Sequence, residues 1–295
     1  MITVIGATGH VGGNLARTLL DNGQDVRAIG RNPHALAALS ARGADTHSFD
    51  LTDTPRLADT LVGSETVFAM VPSDPFTEHY DAHQQILGES ICSAIASSGV
   101  PTVVALSSLG ADREDAPGVI GSLHRQEQRL RAIHGVRVMA LRPVSFFENL
   151  LAAVDQIMED GNHVDSILPD LPIPMIAAAD VADAAATAFA DAGWNGFSTR
   201  DLLGERDLSY IEATRILGGA LGFEGATYTP LPDDAMAAAL IASGMSGEYA
   251  RQYVAMTRAF NSGELTDPVP RTPANSTPTT FEAFAASLVA AGQPS

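Results

Sequence analysis

The chain contains no lysine: all 17 of its basic residues are arginines. That absence removes whole mechanisms. A Schiff-base enzyme needs a lysine amine, a Walker-type phosphate loop needs Gly-Lys-Ser/Thr, and a Tyr-x-x-x-Lys dehydrogenase needs the ammonium that lowers its tyrosine pKa. Cysteine is almost as scarce. The single thiol, Cys92, excludes an intrachain disulfide and the paired spacing of a structural zinc site. Positive charge is short overall, with 17 basic against 35 acidic residues and a formal charge of −18, so neither nucleic acid nor an anionic membrane is expected as a partner. No run approaches the roughly 18 apolar residues of a membrane span. The opening Met1-Ile-Thr-Val-Ile-Gly6 is strand-like rather than leader-like, which makes the cytoplasm the expected compartment.

What is there is a 295-residue chain, 45% hydrophobic, long enough for one large core or two modest ones. The β-branched run Ile2–Ile5 leads into Gly6-Ala-Thr-Gly9-His-Val-Gly12-Gly13, then an amphipathic stretch with Leu15, Leu19 and Leu20 that stops at Gly23. This spacing predicts strand, glycine turn and helix. Apolar runs follow at 26–29, 46–49, 66–71, 102–106 and 136–141, with helical stretches near 33–42, 52–62, 78–98 and 118–134 between them. Strands apolar on both sides and alternating with helices predict an α/β fold with a doubly wound parallel sheet of order 3-2-1-4-5-6. After Pro143 the alternation loosens. A helix followed by a proline-rich loop is expected over 151–172, a helix opens near Asp180, and Ser209-x-x-Glu212 and Thr279-x-x-Glu282 read as capping boxes. One or two helices fill 233–261, broken at Ser243-Gly244 or Ser246-Gly247, and residues 265–278 form an extended strap. The expected division is a nucleotide-binding domain over 1–150 and a smaller, mostly helical substrate domain over 151–295, with segments near 173–204 returning to the first sheet.

The chemistry begins at the glycine turn. Gly6-x-x-Gly9-x-x-Gly12 after a strand lets the backbone approach a pyrophosphate, which meets free N–H groups at the positive end of the next helix. Gly6, Thr8, Gly9, His10, Val11 and Gly12 are therefore candidate cofactor contacts; a tight turn without a ligand is the competing reading. The carboxyl end of the second strand carries Gly30-Arg31-Asn32. A guanidinium there pairs with the 2′-phosphate of NADP, where an acid would take the 2′-hydroxyl of NAD, so NADP(H) is expected over NAD. Asp50 and Leu51, after the third strand, are placed for the adenine, though Asp50 could equally cap the helix near Thr52. Met70, Val71 and Pro72 end the fourth strand and Ser107 and Ser108 the fifth, where doubly wound sheets place ligands; a plain strand end at Val71-Pro72 and a simple strand-end turn at the serines are the competing readings.

Gly6-Ala-Thr-Gly-His-Val-Gly12, Arg31, Ser107-Ser-Leu-Gly110, His124-x-x-Glu127-x-x-Leu130, Leu141-Arg-Pro143 with Phe147-Glu-Asn149, Asp180-Val-Ala182 and Leu203-Gly-Glu-x-x-x-Ser209 follow one another in an order that resembles the NmrA-like branch of the atypical short-chain dehydrogenase/reductases, over nearly the whole chain. Asn261-Ser-Gly-Glu264 and Thr279-Thr-Phe-Glu282 are similar to the quinone reductase and triphenylmethane reductase subgroup. The resemblance implies a Rossmann domain holding NADP(H) and a smaller C-terminal domain closing a cleft over the nicotinamide. Pro143 then belongs to the cofactor contacts.

The branch contains both reductases and redox-sensing regulators without catalysis. In the register that puts His124 at the lysine position of a standard short-chain dehydrogenase, Ile120 stands at the tyrosine position. A ketone reduction relying on a positioned acid is thus disfavoured, since such an acid supplies about 10²–10⁴-fold in rate. Quinones, azo compounds and cationic dyes spread the incoming electrons and can collect a proton from water. The expectation is an NADPH-dependent reductase of such a small aromatic acceptor; the alternative is a non-catalytic NAD(P) sensor. His124 is the candidate polar group of the reaction or of the nicotinamide ribose, or else a helix histidine bonded to Glu127. Phe146, Phe147, Asn149 and Tyr249 are candidate acceptor contacts, with core packing the other reading for the phenylalanines and packing against the Rossmann domain the other reading for Tyr249. The i,i+4 pair His79 and His83 lacks a third ligand, so no metal is expected. An exposed apolar helix could support a homodimer.

Overall fold

The computed structural model describes residues 1–191, 193–265, 269–290 and 292. Its first half is β1 (Ile2–Ile5), α1 (His10–Asp21), β2 (Val26–Gly30), α2 (Pro33–Ser40), β3 (Asp45–Ser48), α3 (Thr54–Leu61), β4 (Thr66–Ala69), α4 (Tyr80–Ser98), β5 (Thr102–Leu106), α5 (Ile120–Arg131) and β6 (Arg137–Pro143). These strands pair in parallel in the order β3-β2-β1-β4-β5-β6, the doubly wound arrangement expected from the alternation. Consecutive strand residues point to opposite faces. Val4, Phe68, Val104 and Met139 enter one core with Leu15 and Leu19 of α1, while Ile5, Val67, Val103 and Val138 enter the other with Leu57 and Leu61 of α3, Ile91 and Ile95 of α4 and Leu130 of α5. Two buried faces are why these strands are apolar on both sides.

The chain continues through β7 (Ser145–Phe146), a 3-10 turn at Phe147–Leu150, α6 (Leu151–Asp160), β8 (Asn162–Asp165), β9 (Ile173–Ile176), α7 (Ala178–Ala190) and β10 (Phe197–Leu202). The last of these lies parallel to β6 and makes the sheet seven-stranded. Then come β11 (Asp207–Leu208), α8 (Tyr210–Ala220), β12 (Thr227–Pro230), α9 (Asp233–Ala242), α10 (Gly247–Asn261) and α11 (Phe281–Ala290). A third core joins Phe147, Leu150, Ile157, Ile173, Leu208, Leu217 and Phe281.

Three local expectations need correcting. The segment after α6 holds strand β8, parallel to β12, because its inward side chains are the polar His163 and Asp165, which hydropathy does not mark as a strand interior. β9 pairs with β7 and β11 despite its Pro174. At α11 the capping hydroxyl is that of Thr280, which accepts from Ala283 N at 3.1 Å; Thr279 instead donates its hydroxyl to Asp180 at 2.5 Å and ties α11 to α7. The Ser209 hydroxyl caps α8 as expected, accepting from Glu212 N at 3.2 Å, while the Glu212 carboxylate accepts from Arg206 Nη1 at 2.8 Å. Part of the expected strap, residues 266–268, lies outside the described residues.

Candidate active site

The glycine turn is shaped by close contacts. Gly6 sits at φ +73°, and a Cβ there would come 2.6 Å from Met70 Sδ. A Cβ on Gly12 would lie 2.3 Å from the Gly6 carbonyl oxygen, so the first turn of α1 is seated directly on the end of β1. Gly9 caps α1 without a side-chain hydrogen bond, and the first helical turn carries no carboxylate. Its N–H groups and positive dipole end are left for an anion. Thr8 and His10 are exposed beside the turn; Val11 and Gly12 are buried under it.

A shallow depression adjoins the carboxyl end of β2, lined by Arg31, Asp50, Leu51, Pro72, Asp74, His83 and Leu87. Arg31 Nη1 lies 3.5 Å from Asp74 Oδ2. Asp50 Oδ1 accepts from both Thr52 N and Thr52 Oγ1 at 2.9 Å, and the backbone bond, then the hydroxyl, hold its carboxyl below the usual range, with His83 and Arg31 adding to the effect. The N-cap of α3 is Asp53, accepting from Arg56 N, so Asp50 makes a turn and not the cap.

A cavity of about 280 Å³ opens at the carboxyl ends of β4, β5 and β6. Met70 and Val71, then Leu106 to Leu109, then Pro143 to Phe146 and Asn149 form its sheet side. Ile120 and Leu123 of α5, Tyr80 at the start of α4, and Tyr249, Met256 and Phe260 of α10 close it. Met70 belongs both to this wall and to the packing over Gly6, which joins the cavity to the glycine turn. This is where open parallel sheets bind ligands. Tyr80 and Tyr249 meet edge to face at 5.1 Å, and Tyr80 shares a 3.0 Å hydrogen bond with Ser73. Burial pushes both phenols up, Tyr249 to about 12, so both stay neutral at physiological pH.

Under the cavity floor lies a buried ion pair. Arg142 on β6 donates Nε and Nη2 to the two Glu127 oxygens at 2.9 and 2.6 Å, and Ser107 Oγ donates to Oε1 of the same carboxylate at 2.5 Å. The side chains of Glu127 and Arg142 are 2% and 10% exposed. Burial works against the Arg142 charge, but the carboxylates of Glu127, Asp112 and Asp201 together outweigh it and hold the guanidinium above its ordinary value. Because the Ser107 proton is committed to Glu127, its hydroxyl turns lone pairs toward the cavity and acts there as an acceptor. Ser108, Ser122 and Gln84 likewise donate to backbone carbonyls, of Leu109, Val119 and Pro72. Glu148 accepts from Ala178 N at 3.1 Å with both oxygens and anchors the start of α7; burial raises its pKa against those backbone bonds and His10.

The structure places the candidate residues at the glycine turn and around these two hollows, with two exceptions. Phe147, expected at the acceptor, is 1% exposed and packs against Phe281 and Phe284 at 5.1 and 5.5 Å in the third core. The 3-10 turn begins there and sends it away from Phe146. His124 is not among the residues lining the cavity: its Nδ1 lies 2.9 Å from Ala111 O, and Glu127 is engaged by Arg142 instead. Tyr80, Met256, Phe260 and the Glu127–Arg142 pair are site features the sequence reading missed. Arg142 alone left a signal, as a charge directly after the apolar run 136–141 that must find a partner where it is buried.

The NmrA-like family model matches residues 1–285. The (4-alkanoyl-5-oxo-2,5-dihydrofuran-3-yl)methyl phosphate reductase of Streptomyces griseus is 31% identical over 76% of each chain, and quinone oxidoreductase 2 of Escherichia coli is 27% identical over 83% of this chain and 82% of its own. Among solved structures, the E. coli NADPH-dependent quinone oxidoreductase complexed with NADPH superposes with a TM-score of 0.76 at 24% identity, over 98% of this chain and 100% of that one. The Citrobacter triphenylmethane reductase complexed with NADP(H) gives 0.77 at 18%, over 97% and 99%. No helix among the described residues is long and apolar enough to cross a membrane. With a family model spanning all but the last few residues and a relative above 30% identity over three quarters of its length, the chain belongs to the NmrA-like family.

Proposed function

We propose that this protein is an NADPH-dependent reductase that passes hydride to a small conjugated acceptor of the quinone, azo or dye class. The observation that carries the reading is the juxtaposition across Met70 of a glycine turn with free helix N–H groups and a largely apolar cavity at the strand ends. The turn fits a dinucleotide: its N–H groups are uncapped and side chains are kept out at Gly6 and Gly12 by contacts under 3 Å. Bound there, NADPH supplies the hydride.

The chain's own residues then orient and enclose. Gly6, Gly9 and Gly12 take the pyrophosphate, Arg31 and the hollow around Asp50 and Leu51 take the adenosine end, and Ser107, Ser108 and Pro143 face the nicotinamide end. Phe146, Asn149, Tyr80 and Tyr249 enclose the acceptor. Ile120 lines the cavity and, in the register that sets His124 at the lysine position of a standard short-chain dehydrogenase, stands at the tyrosine position; the chain has no lysine. The neutral phenols offer a hydrogen bond without strong acidity, which suits acceptors that need little protonation in step with hydride arrival. Quinone oxidoreductase 2 of Escherichia coli and the NAD(P)H azoreductase of Xenophilus azovorans, the latter 28% identical over 75% of this chain and 74% of its own, support the same reading. His124 is assigned to holding the loop at Ala111.

An acceptor panel with NADPH and NADH, followed at the nicotinamide absorbance, tests the proposal. Turnover of at least one quinone, azo compound or triphenylmethane dye, slowed by Phe146→Ala and unaffected in its acceptor range by Phe147→Leu, is expected. Tight nucleotide binding with no turnover on any acceptor would instead favour a dinucleotide sensor.

A further inference from the structure

We propose that Asp74 sets the cofactor preference of this protein by competing with a nucleotide 2′-phosphate for Arg31. The inference rests on the reading that the glycine turn holds a nicotinamide dinucleotide, and it adds a determinant on a different loop. Arg31 Nη1 is 3.5 Å from Asp74 Oδ2, and the two side chains are 57% and 30% exposed. Asp74 is the fixed member of the pair. Its Oδ1 accepts from Phe76 N at 3.2 Å, and its loop is pinned on both sides, by Gln84 Nε2 donating to Pro72 O at 2.7 Å and Ser246 N donating to Pro75 O at 2.9 Å. Arg31 is the partner free to swing.

Charge in this depression does not favour a phosphate as strongly as Arg31 alone implies. Asp50 and Asp74 both line it, so one guanidinium is opposed by two carboxylates, with His83 beside them. A phosphate dianion must draw Arg31 off Asp74 and then sit near that released carboxylate. An unphosphorylated ribose meets no such penalty, and its 2′-hydroxyl can donate to a carboxylate in this position. Asp74 thus does from the loop after β4 what an acid at the end of β2 does in an NAD-selective fold. The expected consequence is weak discrimination between the two nucleotides, sharpened toward NADPH once the Asp74 charge is removed.

The test is titration of the purified protein with NADPH and with NADH by nucleotide fluorescence, for wild type, Asp74→Asn and Arg31→Gln. Asparagine keeps an oxygen to accept from Phe76 N, so the turn survives. At the partial exposure of this pair, removing one carboxylate should raise the ratio of NADPH to NADH affinity by about 5- to 10-fold. Arg31→Gln should lower the same ratio. If Arg31→Gln lowers it but Asp74→Asn leaves it unchanged or lowers it too, the role of Asp74 is refuted while nucleotide binding stands. If wild type binds neither nucleotide, the functional reading itself fails, and the inference with it.

Discussion

Replacing Glu127 by Gln removes one negative charge and almost no volume from the most enclosed polar contact of the site. In the native protein its carboxylate receives three hydrogen bonds, two from Arg142 and one from Ser107. Glutamine can still accept at one oxygen, but it turns an N–H₂ toward Arg142 and leaves the guanidinium uncompensated at 10% exposure. Breaking a buried pair from one side typically costs about 3–5 kcal/mol. Asp112 lies 3.8 Å from Arg142 on the exposed side, and Asp201 also acts on it, which puts Glu127→Gln near the low end, about 3 kcal/mol. Arg142→Met should cost more, toward 5 kcal/mol, because it strands two carboxylates. Glu127 would keep only Ser107, and Asp201, whose carboxyl burial already pushes up and whose Oδ1 has no partner among the described residues, would lose the charge that opposes that shift. Equilibrium urea unfolding of both variants measures the order. A cost below about 1 kcal/mol for Glu127→Gln, or a smaller cost for Arg142→Met than for Glu127→Gln, would refute the view that this pair is held by its mutual compensation.

Gly12→Ala brings a Cβ to 2.3 Å from a backbone oxygen, so α1 must retreat from β1; about 1–3 kcal/mol of stability and at least tenfold of nucleotide affinity should be lost. Gly9→Ala is the contrast. Its Cβ would stay 3.4 Å from the same oxygen, so unfolding should move by less than about 0.5 kcal/mol while nucleotide affinity still falls, because the methyl group occupies the anion's approach. Equal stability losses in the two variants would contradict this. His163, buried beside Tyr210 and Tyr228 and bonded to Thr214, is pushed down to about 4 by burial. The unfolded chain therefore takes up its proton first as pH falls. Stability present above pH about 6.5 should be lost between there and about 4, by about 3 kcal/mol in total, and His163→Gln should remove that part of the slope in urea titrations run across the range.

The parts of this fold that the sequence revealed are those where one local rule has no competitor. Parallel strands covered on both faces must be apolar on both sides, and β1, β4, β5 and β6 could be read for that reason. A turn in which a Cβ would collide with backbone must be glycine, and Gly6 and Gly12 announced it. β8 violates the first rule with His163 and Asp165 facing inward, so it stayed hidden. Phe146 and Phe147 are neighbours with the same side chain, yet one lines the cavity and the other the third core, because the backbone passes there from an extended cap into a 3-10 turn. Composition carries no trace of that change. The far wall of the cavity comes from α4, α5 and α10, which converge only after the chain has folded, so Tyr80, Met256 and Phe260 had no common spacing to betray them.

Arg31 marks the boundary of what could be read. Its position after β2 was legible, and a cation there by itself argues for a phosphorylated nucleotide. Preference, however, is a difference between two binding free energies, and that difference depends on every charge that faces the 2′ position. The opposing carboxylate, Asp74, sits 43 residues further along the chain, on the loop that leaves a strand not adjacent to β2. The doubly wound order causes this encounter: β1 separates β2 from β4, so the loops leaving β2 and β4 flank the glycine turn from both sides and meet over it. A residue on the loop after β4 can therefore face the same position as one that follows β2, and a reading confined to the end of β2 omits both carboxylates that oppose Arg31.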